Sequence, residues 1–219
     1  MLNTLSWWMY PFKPVRTTKA VFERIDTSDY TMEAKFDGHR TIPILNGTPK
    51  LFTRQKQKIQ APVDLMEQLV ALGAPKGTVL DGEIWTQRKK GGWHKCEPGE
   101  CRITLWDIIR IGKTDLSKEP IEKRREILGS LMKEECPSIK QVEILEASLE
   151  ECERINQEAI EMRKAGNSKH GFIHGVVLKK NGSIRRDHCS RSTKHPDWLK
   201  ILFDGMEGWE PELGCYATK

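Results

Sequence analysis

Residues 33 to 40 read "EAKFDGHR": two acids, two cations, a histidine and a glycine in eight positions. Lys35 has an acid two residues away on either side, and a strand with alternating side chains would send Glu33, Lys35 and Asp37 to one face. Buried in a core, three charges are expensive. Lining a pocket, the same three charges are a site. Four other stretches place charge inside or beside apolar strand sequence: "LDGEIW" (80 to 85), "TLWDII" (104 to 109), "HGVVLKK" (174 to 180) and "WLKIL" (198 to 202). In any one of them alone, the charge reads as an ordinary edge or solvent position.

The elements that must hold these residues stand out as period-2 segments rich in β-branched and aromatic side chains: "YTMEAKF", "RTIPIL", "KLFT", "TVLDGEIW", "RITLWDII", "FIHGVVLK" and "DWLKIL". Helical stretches lie between them. One spans "DLMEQLVAL" (64 to 72), opened by a capping box of Asp64 and Glu67 and closed by Gly73. Another runs through "EPIEKRREILGSLMKEE" (119 to 135) and must stop before Pro137. A third starts near Ser148, with Glu151 three residues on, and ends at Gly166. Irregular interleaving and short hairpin-like links such as "NGTPK" (46 to 50) favour antiparallel sheets flanked by helices, an α+β fold, over a doubly wound parallel sheet. With no internal repeat and no low-complexity linker, residues 1–219 are expected to form a single domain.

The chain, 37% hydrophobic and 31% charged over 219 residues, can bury a substantial core and has no apolar run near the ~18 residues that span a bilayer. Its first residues, "MLNTLSWWMYPFKP", lack a basic region followed by a small-residue cleavage site, so a cytoplasmic protein away from membranes is expected. Six cysteines are read as free thiols in a reducing compartment. His94, Cys96 and Cys101, with His188 or Cys189 from far along the chain, raise a zinc site; the spacing lacks the paired arms of structural zinc sites, and a turn built by Pro98 and Gly99 is the simpler reading. Net charge is +5, and the cations gather in "QRKKGGWHK" (87 to 95) and "LKKNGSIRRDHCSRSTKH" (178 to 195), glycine-containing loops suited to a phosphate backbone or to a solvated face.

Taken in chain order, the charged stretches resemble the motifs of the nucleotidyltransferase superfamily of ATP-dependent DNA ligases, RNA ligases and mRNA-capping guanylyltransferases, and the DNA ligase branch above all. "EAKFDGHR" resembles the E-x-K-x-D-G-x-R nucleophile motif in full, and "LFTR" (51 to 54) the S/T-R element that follows it. "LDGEIW" is similar to the D-G-E motif, "TLWDII" to the aromatic-Asp strand, "HGVVLKK" to the E-G-x-V-x-K strand and "WLKIL" to the closing W-x-K-x-K strand. With "KP" at 13 and 14, the resemblance runs over residues 13–202. It implies the ATP-grasp-like nucleotidyltransferase domain of DNA ligases, an adenylation reaction, and a catalytic cycle in which a lysine takes AMP from ATP and passes it to the 5′-phosphate of a nick.

The resemblance implies roles residue by residue. Lys35 is the nucleophile, and a free lysine with pKa near ~10.4 must be relieved of its proton by nearby positive charge. Lys200, with Lys179 beside it, neutralises the α-phosphate as charge moves to the leaving pyrophosphate. Glu33 lies near the adenine edge, Arg40 near the ribose and the nick, Glu83 on the ribose hydroxyls or a metal, and Trp106 stacks on adenine. Arg54 grips the 5′-phosphate of the nick. Asp37 and Gly38 shape the turn that aims Lys35. ATP and a divalent cation, Mg2+ or Mn2+, are the implied cofactors.

Departures accompany the match. Where the family has a glutamate before G-V-V this chain has His174, and where it has a second lysine in the last motif this chain has Leu202. An imidazole at the metal side with Glu83 leans toward manganese over magnesium. No stretch of the 219 residues resembles the OB domain that clamps duplex in these ligases. A minimal ligase, a catalytic domain served by a separate protein with an OB-type clamp, and a shortened form are all consistent with that. The expected partner is nicked duplex DNA, the expected state a monomer. An RNA ligase of the same superfamily and a catalytically weakened nucleic-acid-binding relative are the alternatives, with a capping enzyme behind them.

Overall fold

The computed structural model describes residues 11–86, 95–164, 173–186 and 193–203, and within them two sheets meet around a central cleft. The first sheet runs in the order β1 (Lys13–Arg16), β12 (Lys194–Leu202), β11 (Ile173–Lys180), β2 (Tyr30–Phe36), β10 (Leu145–Glu146). The second runs β5 (Lys58–Ile59), β4 (Lys50–Thr53), β3 (His39–Leu45), β6 (Thr78–Thr86), β7 (Cys101–Ile111), β8 (Thr114–Asp115), with β9 (Ile139–Gln141) also paired to β7. Helices α1 (Lys19–Phe22), α2 (Val63–Ala71), α3 (Ile121–Gly129) and α4 (Leu149–Lys164) complete the described fold. Pairing is antiparallel except for β1 on β12 and β9 on β7, which are parallel. The α+β architecture expected from the pattern is the one observed.

Alternation decides which face of each strand is buried. On β2, Met32 and Ala34 join Val176, Leu178 and Ile201 of β11 and β12 in a core closed by Cys152, Ile155 and Ala159 of α4. The opposite face of the same strands carries Glu33, Lys35, Val177, Lys179, Trp198 and Lys200, which all line the cleft. In the second sheet, Leu80, Ile84, Ile103 and Leu105 pack under Leu65 and Leu69 of α2 and Leu128 of α3. Each fully buried aliphatic side chain contributes about 1.5–3 kcal/mol. The two sheets are joined at Asp37 and Gly38, the turn between the last residue of β2 and the first of β3. A Cβ at Gly38 would run into the carbonyl of Ile84 and the side chain of Glu83, so the joint admits only glycine without displacement.

The strands agree with the sequence pattern to within a few residues at each end. The helices agree less well. Pro62 stands at the N-cap of α2 with no side-chain cap, and Asp64 instead accepts a hydrogen bond from the Gly99 N–H at 2.9 Å, so the expected capping box does not form. Gly73 does close that helix, in the left-handed region at φ 66°. α3 ends at Gly129, six residues before Glu135. At α4 the Ser148 hydroxyl accepts from the Glu151 N–H at 3.1 Å, the cap the sequence predicts, whereas Gly166 lies outside the described residues.

Candidate active site

Between the sheets lies a pocket of about 250 Å³. Glu33 and Lys35 reach it from β2, Arg40 from β3, Arg54 just past β4, Glu83 from β6, Trp106 from β7, Lys179 from β11 and Lys200 from β12. All but one of the residues singled out for a role at the site are thereby gathered around one space. His174 is the exception: it precedes Gly175 at an irregularity in the β11–β2 register and its Nδ1 lies 3.8 Å from Asp37 Oδ1, away from the pocket lining.

Register fixes the neighbours of Lys35. It pairs across the ladder with Gly175, whose missing side chain leaves the β12 backbone close by, and a Cβ there would strike the Ile201 carbonyl. One step along, Glu33 pairs with Val177 and Val177 with Lys200, so Lys200 lies two strands from Glu33 on the same face. Burial, and then the positive charge of Lys35 and Lys13, hold the Lys200 ammonium below the usual lysine range. Glu83 is pushed up to about 7: burial outweighs the pull of Lys35, of Arg40 and of the Gly38 N–H, which donates to Glu83 Oε1 at 3.2 Å. The carboxyl of Glu83 therefore changes charge near neutral pH.

At the pocket's inner end, Glu33 is 3% exposed and held from two sides. Arg125 of α3 donates to Oε1 at 2.5 Å, and the Lys179 ammonium pairs with Oε2 at 2.6 Å. Lys179 in turn lies 4.1 Å from the centre of the Trp198 ring, and burial lowers its pKa to about 8 against the opposing pull of Glu33. Lys179 is thus paired with Glu33 at this end of the pocket, apart from the α-phosphate role expected for it beside Lys200. Arg40 donates through Nε and Nη2 to both oxygens of Asp81, at 2.8 and 2.6 Å, and through Nη1 to the Phe12 carbonyl, while its guanidinium packs 5.6 Å from the Trp106 ring. It shapes the wall beside the Trp106 ring, which lines the pocket.

Behind that wall runs a buried ion network that the sequence pattern barely announces. Asp81 and Asp107, both fully buried, face each other across the β6–β7 ladder and share Arg185, at 3.0 and 2.8 Å. Arg124 of α3 adds a two-point contact to Asp107 at 2.7 and 3.1 Å. Burial alone would raise both carboxyls, but the arginines outweigh it and hold each below the usual range. Asp81 and Asp107 stand inside quoted motifs, so their pattern flagged them without a role. Arg124 and Arg125 look like any solvated pair in a polar helix. The second basic run also divides: Lys179 and Arg185 are buried in ion pairs, Arg186 and Lys194 are exposed, and residues 187–192 lie outside the described residues. Most of the first basic run, residues 87–94, lies outside them too.

The metal assignment gains nothing from this geometry. Among the described residues no three His, Cys, Asp or Glu side chains converge to hold an ion, and His174 is not in the lining of the pocket that Glu83 lines. The expectation of manganese rests on the motif substitution alone. Cys96 and Cys101 do come together, with Cys96 Sγ 3.3 Å from the hydroxyl of Thr86, the ladder partner of Cys101, and burial pushes the Cys101 thiol up. The other proposed zinc ligands, His94, His188 and Cys189, lie outside the described residues.

Comparison with known proteins gives one family. The family model of the ATP dependent DNA ligase domain matches residues 12–201. DNA ligase 2 of Korarchaeum cryptofilum (strain OPF8) is 27% identical over 173 residues, which cover 69% of this chain and 29% of the archaeal protein. The SPbeta prophage-derived DNA ligase-like protein LigB of Bacillus subtilis (strain 168) is 22% identical over 201 residues, 85% of this chain and 68% of that one. Among solved structures, the ligase domain of M. tuberculosis LigD shares the fold with a TM-score of 0.59 at 19% identity, over 89% of this chain and 59% of that one. The ATP-dependent DNA ligase from bacteriophage T7 in complex with ATP does so with 0.57 at 17%, over 89% and 69%. The archaeal ligase and the LigD domain extend well beyond the region matched. With the family model matching residues 12–201, which reach every described strand of both sheets, the chain belongs to the ATP-dependent DNA ligase domain family.

Proposed function

We propose that the chain is the adenylation domain of an ATP-dependent DNA ligase, acting as one unit over residues 1–219 on nicked duplex DNA. Lys35 Nζ attacks the α-phosphorus of ATP; a P–N bond forms, the bond from Pα to the bridging oxygen breaks, pyrophosphate departs and the amine proton leaves to solvent. The 5′-phosphate of the nick then displaces Lys35, and the 3′-hydroxyl attacks that phosphate and expels AMP. The observation that carries this reading is the presence of Lys35, Lys200 and Glu83 around one pocket whose inner end holds an acceptor, Glu33, beside a donor, Lys179. Adenine offers the matching edge, an amino group next to a ring nitrogen; guanine offers the reverse order.

In this scheme Trp106 stacks on the base, Glu83 meets the ribose hydroxyls, Lys200 stabilises charge at the α-phosphate and Arg54 receives the 5′-phosphate of the nick. A divalent ion would supply further charge neutralisation at the phosphates, with Glu83 as a pocket carboxylate able to help hold it. The setting is proposed to be cytoplasmic: the cysteines among the described residues are free and buried, and no described helix is long and apolar enough to cross a membrane. Intact mass spectrometry after exposure to ATP and Mg2+ or Mn2+ tests the proposal. The wild type gains one adenylyl group and Lys35→Ala, equally folded, gains none; a wild type that never gains the mass refutes it. Sealing of nicks with DNA or RNA at the 3′ side then decides the strand preference.

A further inference from the structure

We propose that the β1–β12 edge of the first sheet is a pyrophosphate subsite, in which Lys13, Arg16 and Lys194 hold the β- and γ-phosphates of ATP; the identity of the ligand rests on the reading of Lys35 as the adenylated residue. Parallel pairing sets Lys13 opposite Lys194 and Arg16 opposite Lys200. Strands lie about 4.8 Å apart, so the row Glu33, Val177, Lys200, Arg16 crosses the cleft face to the sheet edge in even steps. Lys200 stands between the Lys35 end of that face and the edge. Lys13 lines the same pocket as Lys35, Lys200 and Arg54.

Lys13, Arg16, Lys194 and Lys200 face one another. Among the described residues, none of Lys13, Arg16, Lys194 and Lys200 is paired with a carboxylate, whereas the buried Lys179, Arg124 and Arg185 all are. Lys13 is held below the usual lysine range by Arg54 first, then by burial and by Lys194. Lys200 is lowered by burial and then by Lys35, Lys13, Arg16 and Lys194. Such a cluster is a binding site for a small, densely charged anion. During attack by Lys35 the electron pair of the breaking Pα–O bond passes to pyrophosphate, and the edge cations sit where that charge arrives. A DNA strand, with one charge per phosphate along an extended backbone, asks for a longer track than this short edge.

Calorimetric titration with pyrophosphate, ATP, AMP and a nicked DNA duplex tests the subsite on Lys13→Gln, Arg16→Gln and Lys194→Gln, with Lys180→Gln, at the far end of β11 beside Asp29, as the equal-charge control. Each edge variant is expected to weaken pyrophosphate and ATP about three- to tenfold, the loss of one charge-assisted contact, and to leave AMP within about twofold. Lys180→Gln should change none of them. Unaltered pyrophosphate affinity, an equal loss for AMP, an effect matched by Lys180→Gln, or a loss confined to nicked duplex would each overturn the subsite. Pyrophosphate binding needs no adenylation. A chain that binds pyrophosphate through these residues yet never gains AMP keeps the subsite and loses the ligase reading; a chain that is adenylated with unchanged pyrophosphate affinity in all variants does the opposite.

Discussion

Glu33 and Glu83 are two buried carboxyls given opposite tasks by their neighbours. Glu33, clamped by Arg125 and Lys179, is fixed as an acceptor with its donor partner alongside. Replacing it by Gln is expected to lower the ratio of ATP-dependent to GTP-dependent adduct formation by roughly tenfold or more, measured as the two kcat/KM values. Glu83 is less firmly held, and burial keeps it protonated up to about pH 7. In the ribose-binding role proposed for it, the carboxylate is the accepting form, so ATP affinity should rise through about pH 7 in the wild type and stay flat in Glu83→Gln. Stability carries the reverse sign. A carboxyl whose folded pKa lies above its unfolded value weakens the fold as pH rises from about 4 to 7, so Glu83→Gln should raise the Tm at pH 8 by on the order of 5 °C. A lower Tm in that variant would argue against the buried, protonated acid.

Among the elements, the joint between β2 and β3 differs in kind from the helices around it. Gly38 lets the chain cross from one sheet to the other while its amide holds Glu83, so Gly38→Ala should move both strands and reduce adenylation far more than its loss of stability explains. Ser148→Ala is the contrast: it removes one helix cap at α4, costs about 1 kcal/mol and some 2–4 °C of Tm, and leaves the adduct intact. Strands were legible because β-branched and aromatic residues recur in them and, as in β2 and β11, one face packs on a core; β6, buried along nearly its whole length, reads as a continuous apolar run broken by Asp81 and Glu83. The start of α2 was not. Asp64 and Glu67 fit the local rule for a capping box, but Asp64 was drawn to an amide 35 residues away, at Gly99, which no local pattern announces.

For the molecule as a whole, the buried arginine and aspartate network ties β6, β7, α3 and the segment after β11 into one piece behind the pocket. Removing one partner of such a group strands a buried charge, so Arg124→Met should cost about 3–5 kcal/mol, read from denaturant unfolding. Asp107 and Asp81 are held below the usual carboxylate range, and the stability they contribute is present at neutral pH and lost as acid protonates them. Acid unfolding of the wild type is therefore expected below about pH 4, with a shallower dependence in Asp107→Asn, which starts from a lower stability. An acid limb unchanged by Asp107→Asn would mean that the network does not set it.

The sequence by itself determined the strand pattern and the α+β class, because alternation is a local property that every fold of this chain must respect, while the residues expected at the site came from the resemblance of its charged stretches to the ligase motifs. Only the tertiary structure decided which charges line the pocket and which are paired behind its wall. Lys179 and Arg185 look alike in a basic run, as do Arg124 and Arg125 in a polar helix, yet contacts between residues far apart in the chain bury them beside Glu33, Asp81 and Asp107. Lys13, Arg16 and Lys194 stay unmatched at the edge because the parallel pairing of β1 on β12 brings together two segments some 180 residues apart, a proximity that no local pattern encodes.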